Sequence, residues 1–135
     1  MGPTTPKEHF ESSLARCADD DRFMPLFYFR FLASSEEVRS KFRQTNFDQL
    51  GMMLLQSLKL AAGAAAGDPE SLKEIHERAQ SHSRRHMNIE PHLYEIWLET
   101  LIQAARECDP EWNEAVENGW RTILGHVIRA MIRHY

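Results

Sequence analysis

Apolar side chains recur along the chain with the 3.6-residue period of an amphipathic α-helix. No stretch shows the strict alternation of apolar and polar residues that is typical of a β-strand between turns. Proline, glycine and acidic capping residues interrupt the helical pattern at intervals. The pattern therefore predicts an all-α protein, with helices near residues 6–18, 23–32, 36–42, 47–61, 69–82, 91–105 and 112–131.

Length and composition limit the class of protein. The 135 residues correspond to about one domain, which we expect to span residues 1–135. Sixteen Lys and Arg residues against 20 Asp and Glu residues give a net charge of −4, which argues against a nucleic-acid partner. Cys17 and Cys108 form no CxxC or CxxCH motif. The sequence has no signal-peptide or membrane-span pattern, so we expect a cytoplasmic protein without a membrane partner.

One histidine occupies a position on an apolar helical face. Ile75 and Ala79 lie on a stripe of the helix predicted over residues 69–82, and His82 is the next position of that stripe. The imidazole is therefore expected to face the core, where it needs a partner. Two interpretations are open from the pattern alone: a histidine hydrogen-bonded within the core, and an axial ligand of a metal.

The second predicted helix is apolar on nearly all sides. Its five aromatic residues are Phe23, Phe27, Tyr28, Phe29 and Phe31. Such a helix is either buried or covers something large. Another aromatic residue, Phe42, follows near the end of the next helix.

The residues around His82 resemble the proximal-histidine region of globins. The run Ala79-Gln80-Ser81-His82, with His86 four residues on, is similar to myoglobins. Pro91-x-x-Tyr94 resembles the corresponding stretch of bacterial flavohaemoglobins and single-domain haemoglobins.

Two earlier motifs extend this resemblance in the same order along the chain. Phe27-Tyr28-x-Arg30-Phe31, followed by Phe42, resembles the second helix of bacterial haemoglobins and the phenylalanine that packs flat on haem. Thr45-Asn46-x-x-x-Leu50 is similar to the short corner of truncated haemoglobins. The resemblance covers about residues 10–131 and implies a globin fold, with helices packed around a non-covalently held b-type haem.

The resemblance implies roles for the matching residues. His82 matches the proximal ligand of the haem iron, and Phe42 matches the packing phenylalanine. Tyr28 matches the distal tyrosine, whose hydroxyl donates a hydrogen bond to bound dioxygen. Further cofactor contacts are expected from Leu54, Ala79 and Leu98.

The distal position on the long helix has two candidates. Alignment on Thr45-Asn46 places Leu50 there, and Gln49 takes that place if the helix starts differently. Met53 is expected as a flexible wall near the iron or as core filler, whereas Met52 is expected as core filler.

On the proximal side, His86 is expected to bond one haem propionate and Arg84 or Arg85 the other, with a solvated basic patch as the alternative. Tyr94 matches the tyrosine that, in flavohaemoglobins, joins a glutamate in bonding the proximal histidine. No glutamate lies near the end of this chain, which implies a weaker partner for His82. A zinc pair of His82 and His86 is disfavoured because the glutamate of a zincin motif is missing.

The implied function is reversible binding of dioxygen in oxygen transport, with nitric oxide and carbon monoxide as competing ligands. Nitric oxide dioxygenation would need a separate reductase, since the chain has no G-x-G-x-x-G motif. A haem-based gas sensor that signals to a partner or second subunit is the alternative, and a haem-free helical interaction protein is a further one. Both a monomer and a homodimer fit the sequence.

Overall fold

The computed structural model describes residues 2–43 and 46–135, the side chains of Phe47 and Leu50 excepted. Within these residues the chain forms seven α-helices and no β-strand, which confirms the predicted all-α class. The helices are α1 (Pro6–Ala18), α2 (Phe23–Ser34), α3 (Glu36–Lys41), α4 (Phe47–Ala65), α5 (Pro69–Ser81), α6 (Pro91–Cys108) and α7 (Glu114–Arg133).

Side-chain caps fix where several of these helices begin. Thr5 and Glu8 form a capping box at α1, and the Asp68 carboxylate accepts a hydrogen bond from the Ser71 N–H at α5. Asn113 caps α7 in the same way, by accepting from the Val116 N–H at 2.9 Å. The prediction that α7 begins at Trp112 was therefore wrong, because the cap places Trp112 in the turn before the helix.

An aromatic cluster around Trp120 lies away from the predicted metal ligand. Trp120 of α7 is fully buried, with its ring 4.9 Å from that of Phe10 in α1 and 6.3 Å from that of Phe23 in α2. Edge-to-face pairs of this kind stabilise a core beyond the area they bury. The cluster therefore holds α1, α2 and α7 together as a frame for the other helices.

The C-terminal end of α4 and the N-terminal end of α5 approach each other closely. A Cβ atom at Gly63 would lie 2.3 Å from the Ser71 Oγ atom and 3.1 Å from its Cβ atom, so a larger residue here would require the Ser71 side chain to move. Gly67 turns the chain between the two helices with a φ of 81°. Farther from this turn, side chains of both helices line a cavity.

The corner between α5 and α6 is held from two sides. Asn88 has a left-handed φ of 51°, at the helix break that the sequence predicts there. The Tyr135 hydroxyl donates to the Asn88 Oδ1 atom at 2.5 Å, and the Lys41 ammonium donates to the Asn88 carbonyl at 2.8 Å.

Two large apolar side chains are exposed on the outer faces of their helices. Met52, expected as core filler, is 66% exposed on α4, and Phe29 is 75% exposed on α2. Each residue occupies the outer face of its helix, because the neighbouring residues Leu54 and Tyr28 take the inner positions. No helix of the described part of the chain is both long enough and apolar enough to cross a membrane.

Candidate cofactor-binding site

A cavity of about 230 Å³ lies between α4 and α5 and continues along α2, α3, α6 and α7. Its wall is mainly apolar and includes Phe31, Leu54, Ile75, Leu93, Trp97 and Met131. Pockets of mostly apolar wall with a few polar groups are typical of cofactor and small-molecule sites. The polar groups therefore indicate which chemistry the cavity supports.

His82, which follows α5 as its C-cap residue, is one of these polar groups. Its Nδ1 atom lies 2.8 Å from the Arg78 carbonyl oxygen and 3.2 Å from the Ser81 hydroxyl oxygen. A carbonyl oxygen can only accept, so Nδ1 carries the proton and donates it. The Nε2 atom is then left with the lone pair, which is the form of imidazole that binds a metal.

Burial keeps this imidazole in its metal-binding form. Removal from water lowers the pKa of His82, and the hydrogen bond to the Arg78 carbonyl only partly offsets this effect. The side chain is therefore neutral at neutral pH, with no proton to displace from Nε2.

Tyr28 and Phe42 line the same cavity. Tyr28 is 6% exposed, and burial raises the pKa of its hydroxyl, which stays protonated and able to donate. Phe42 packs edge-on against Phe31 at 5.7 Å between ring centres. Leu54 and Met53 add apolar wall from α4, and Met53 is 44% exposed at this edge of the cavity.

Tyr94 also lines the cavity, and burial raises the pKa of its hydroxyl to about 12. The partners of the His82 Nδ1 atom among the described residues are the Arg78 carbonyl and the Ser81 hydroxyl, both neutral. The carboxylate of Glu117, which belongs to α7, forms its ion pairs with Arg106 and Arg121 and is engaged there.

Other predicted site residues lie away from the cavity lining. Gln49 is exposed, and so is His86. Ala79 is buried and Leu98 packs against the core, but neither lines the cavity. The side chain of Leu50 lies outside the described residues, as does Thr45 of the same motif.

Two cations that sequence reasoning missed line the cavity. Lys41 donates to the carbonyl oxygens of Met87 at 3.1 Å and Asn88 at 2.8 Å, and Arg78 donates to the Ser57 hydroxyl at 2.7 Å. Arg78 lies one helical turn before His82, so its spacing could have identified it. The sequence gives no such signal for Lys41, because a lysine on a short helix is expected to be exposed to solvent.

The basic residues expected at the propionates are placed differently. Arg84 stacks its guanidinium 4.8 Å from the ring centre of Tyr135, and its backbone N–H donates to the Tyr135 carbonyl at 3.2 Å. Neither Arg84 nor Arg85 lines the cavity. Arg84 therefore packs against Tyr135.

The helical frame and the histidine-lined apolar crevice define the class of protein: the chain has a globin fold. A crystal structure of a protein from Pseudomonas aeruginosa PAO1, described as structurally highly homologous to a human hemoglobin, superimposes with a TM-score of 0.92. The two sequences are 29% identical over 97% of this chain and 98% of the other. No protein-family model and no curated protein matches the chain.

Proposed function

We propose that residues 1–135 form one haem-binding unit in which His82 is the axial ligand of a b-type haem, and that the protein binds dioxygen reversibly. The observation that carries this proposal is His82, the one histidine among the described residues that line the cavity, held by the Arg78 carbonyl so that Nε2 keeps its lone pair. The haem iron supplies the coordination position at which dioxygen, nitric oxide and carbon monoxide compete.

The remaining groups of the cavity fit a flat apolar ring that carries two carboxylates. Phe42, Leu54 and Trp97 offer apolar contact to the ring. We assign the two carboxylates to Lys41 and Arg78, since these cations line the cavity and His86 does not. Each cation has N–H donors to spare, so it can donate to a carboxylate while keeping a present partner.

Tyr28 is the residue that we assign to ligand discrimination. Its buried hydroxyl donates to a partly anionic ligand more strongly than to a neutral one. This preference favours dioxygen over carbon monoxide. Binding without consumption makes the protein an oxygen carrier, and dioxygenation of nitric oxide would require electrons from a separate reductase.

A carrier role agrees better with the surface of α6 and α7 than a sensor role does. A sensor that signals through these helices should expose apolar side chains for a partner. Of the described large apolar residues that are exposed, Ile132 lies on α7 and none lies on α6. We therefore expect sedimentation experiments to give the same oligomeric state under oxygen and under nitrogen.

Optical spectra of the purified protein in oxidised, reduced and gas-exposed states test the proposal. We expect a strong absorbance at the blue edge of the visible range that shifts reversibly with oxygen and with carbon monoxide. His82→Ala should lose this band or its gas response, whereas His126→Ala, an exposed histidine on α7, should keep both. A colourless wild-type protein after haem addition, or an unchanged spectrum in His82→Ala, would contradict the proposal.

A further inference from the structure

A cluster of three metal-binding side chains lies outside the cavity. Glu37 comes from α3, whereas Glu90 and His92 flank the first residue of α6. One donor atom from each residue lies within 4.8 Å of the other two. The fold therefore brings together donors from two segments more than 50 residues apart in the sequence.

His92 lies between the two carboxylates. Its Nε2 atom is 3.1 Å from the Glu37 Oε2 atom, and its Nδ1 atom is 3.7 Å from the Glu90 Oε2 atom. Glu90 occupies the N-cap position of α6, but its side chain makes no capping hydrogen bond. The carboxylate is turned to the imidazole and not to the helix, so it is available as a ligand.

The neighbouring cations do not neutralise this cluster. Arg39 pairs with Glu36, and Lys41 donates to the carbonyls of the corner between α5 and α6. Among the described residues, the ion-pair contacts of Glu37 and Glu90 are both made with His92. Two carboxylates and one imidazole thus remain for a cation to bind.

We propose that Glu37, Glu90 and His92 bind a divalent transition-metal ion of the zinc class. A mixed set of one imidazole and two carboxylates suits zinc better than magnesium or calcium, which prefer oxygen ligands alone. Ligands about 2.0–2.2 Å from zinc lie about 3.4 Å apart. His92 can offer the ion one ring nitrogen, and the three donor atoms lie within 4.8 Å of one another, so the side chains must move closer together to share one ion. Because all three side chains are about half exposed, small rotations and bound water can complete the coordination.

The bound ion joins α3 to the start of α6. Lys41 at the end of α3 and Leu93 in the first turn of α6 both line the cavity, so the ion spans its rim. Binding to the folded state alone stabilises that state by mass action. The ion should therefore raise the melting temperature and act independently of the haem proposal.

Isothermal titration of the purified protein with zinc chloride tests the site. The wild-type protein should bind one equivalent that His92→Ala and Glu37→Gln each weaken at least about tenfold, together with loss of the zinc-dependent rise in melting temperature. His76→Ala is the control and should bind zinc as the wild-type protein does. A loss of binding in this variant would show that zinc binds instead at the neighbouring pair His76 and His134. The proposal is overturned if wild-type protein binds no zinc, if His92→Ala binds it equally well, or if magnesium competes at equal concentration. None of these outcomes bears on the haem spectra described above. A failure of the zinc proposal can therefore be distinguished from a failure of the haem proposal.

Discussion

The Nδ1 atom of His82 lies 2.8 Å from the Arg78 carbonyl oxygen, one helical turn earlier. This contact determines the tautomer of the imidazole and directs its lone pair away from the helix backbone. A neutral carbonyl withdraws less of the Nδ1 proton than a carboxylate does, so the imidazole keeps little imidazolate character. Peroxidase-like chemistry, which needs that character, is therefore not expected of this site.

The iron–histidine stretch tests the strength of this partner. In resonance Raman spectra of the ferrous protein, we expect the frequency of a neutral imidazole. Ser81→Asp should raise it, because a carboxylate would replace a hydroxyl that lies 3.2 Å from Nδ1. An unusually high frequency in the wild-type protein would show that another, anionic group bonds His82.

The Tyr28 hydroxyl should slow the release of oxygen. A hydrogen bond to a charged acceptor contributes about 1.5–3 kcal/mol, so Tyr28→Phe should speed oxygen dissociation about tenfold or more in stopped flow. The rate for carbon monoxide should change much less. Tyr135→Phe removes a hydroxyl outside the cavity lining and serves as the matched control. An oxygen off-rate within about twofold of wild type would assign Tyr28 to the core alone.

The cations of the cavity should retain haem. Lys41→Met and Arg78→Met should each speed haem transfer to an excess of a haem-free acceptor protein by roughly twofold to fivefold, since a partly exposed ion pair contributes up to about 1 kcal/mol. His86→Ala should stay within about twofold of wild type, because its side chain does not line the cavity. The opposite ranking would restore the assignment of a propionate to His86.

Asp109 should make the stability of the fold depend on pH. Burial alone would raise the pKa of this carboxyl, but hydrogen bonds from Arg16 at 2.5 Å and Ser13 at 2.6 Å outweigh it, and the pKa is lowered. A lowered pKa stabilises the folded state above the ordinary value of about 3.9, and this stability is lost as the pH falls through the folded-state pKa.

Denaturant unfolding of Asp109→Asn measures this contribution. We expect a loss of about 3 kcal/mol in the free energy of unfolding at pH 7. This value is the lower end of the range expected when a buried ion pair loses one partner. The difference from wild type should shrink below about pH 4. Glu111→Gln is the control, since Glu111 is exposed and contacts the same Arg16 at 3.5 Å. A pH-independent difference would mean that the carboxylate charge is not the stabilising feature.

Much of the fold could be predicted from local patterns. Helical periodicity identifies the helices, and caps such as Thr5, Ser35 and Asp68 locate their starts to within a residue or two. The start of α7 was missed, because Asp109-Pro110-Glu111 resembles a helix start although Asn113 is the cap. Local patterns give two competing starts there, and the Asp109 carboxylate is instead bound by Arg16 and Ser13 from α1.

The sequence by itself determined the helical class and the inward stripe that ends at His82, because both depend on periodicity within one segment. Only the tertiary structure decided that Lys41 and Arg78 line the cavity, that Phe29 and Met52 face solvent, and that Glu37 meets His92. These outcomes depend on how helices distant in sequence pack against each other. Helical periodicity predicts which residues share one face of a helix. The helix that packs against that face comes from a distant part of the sequence, so periodicity does not identify it.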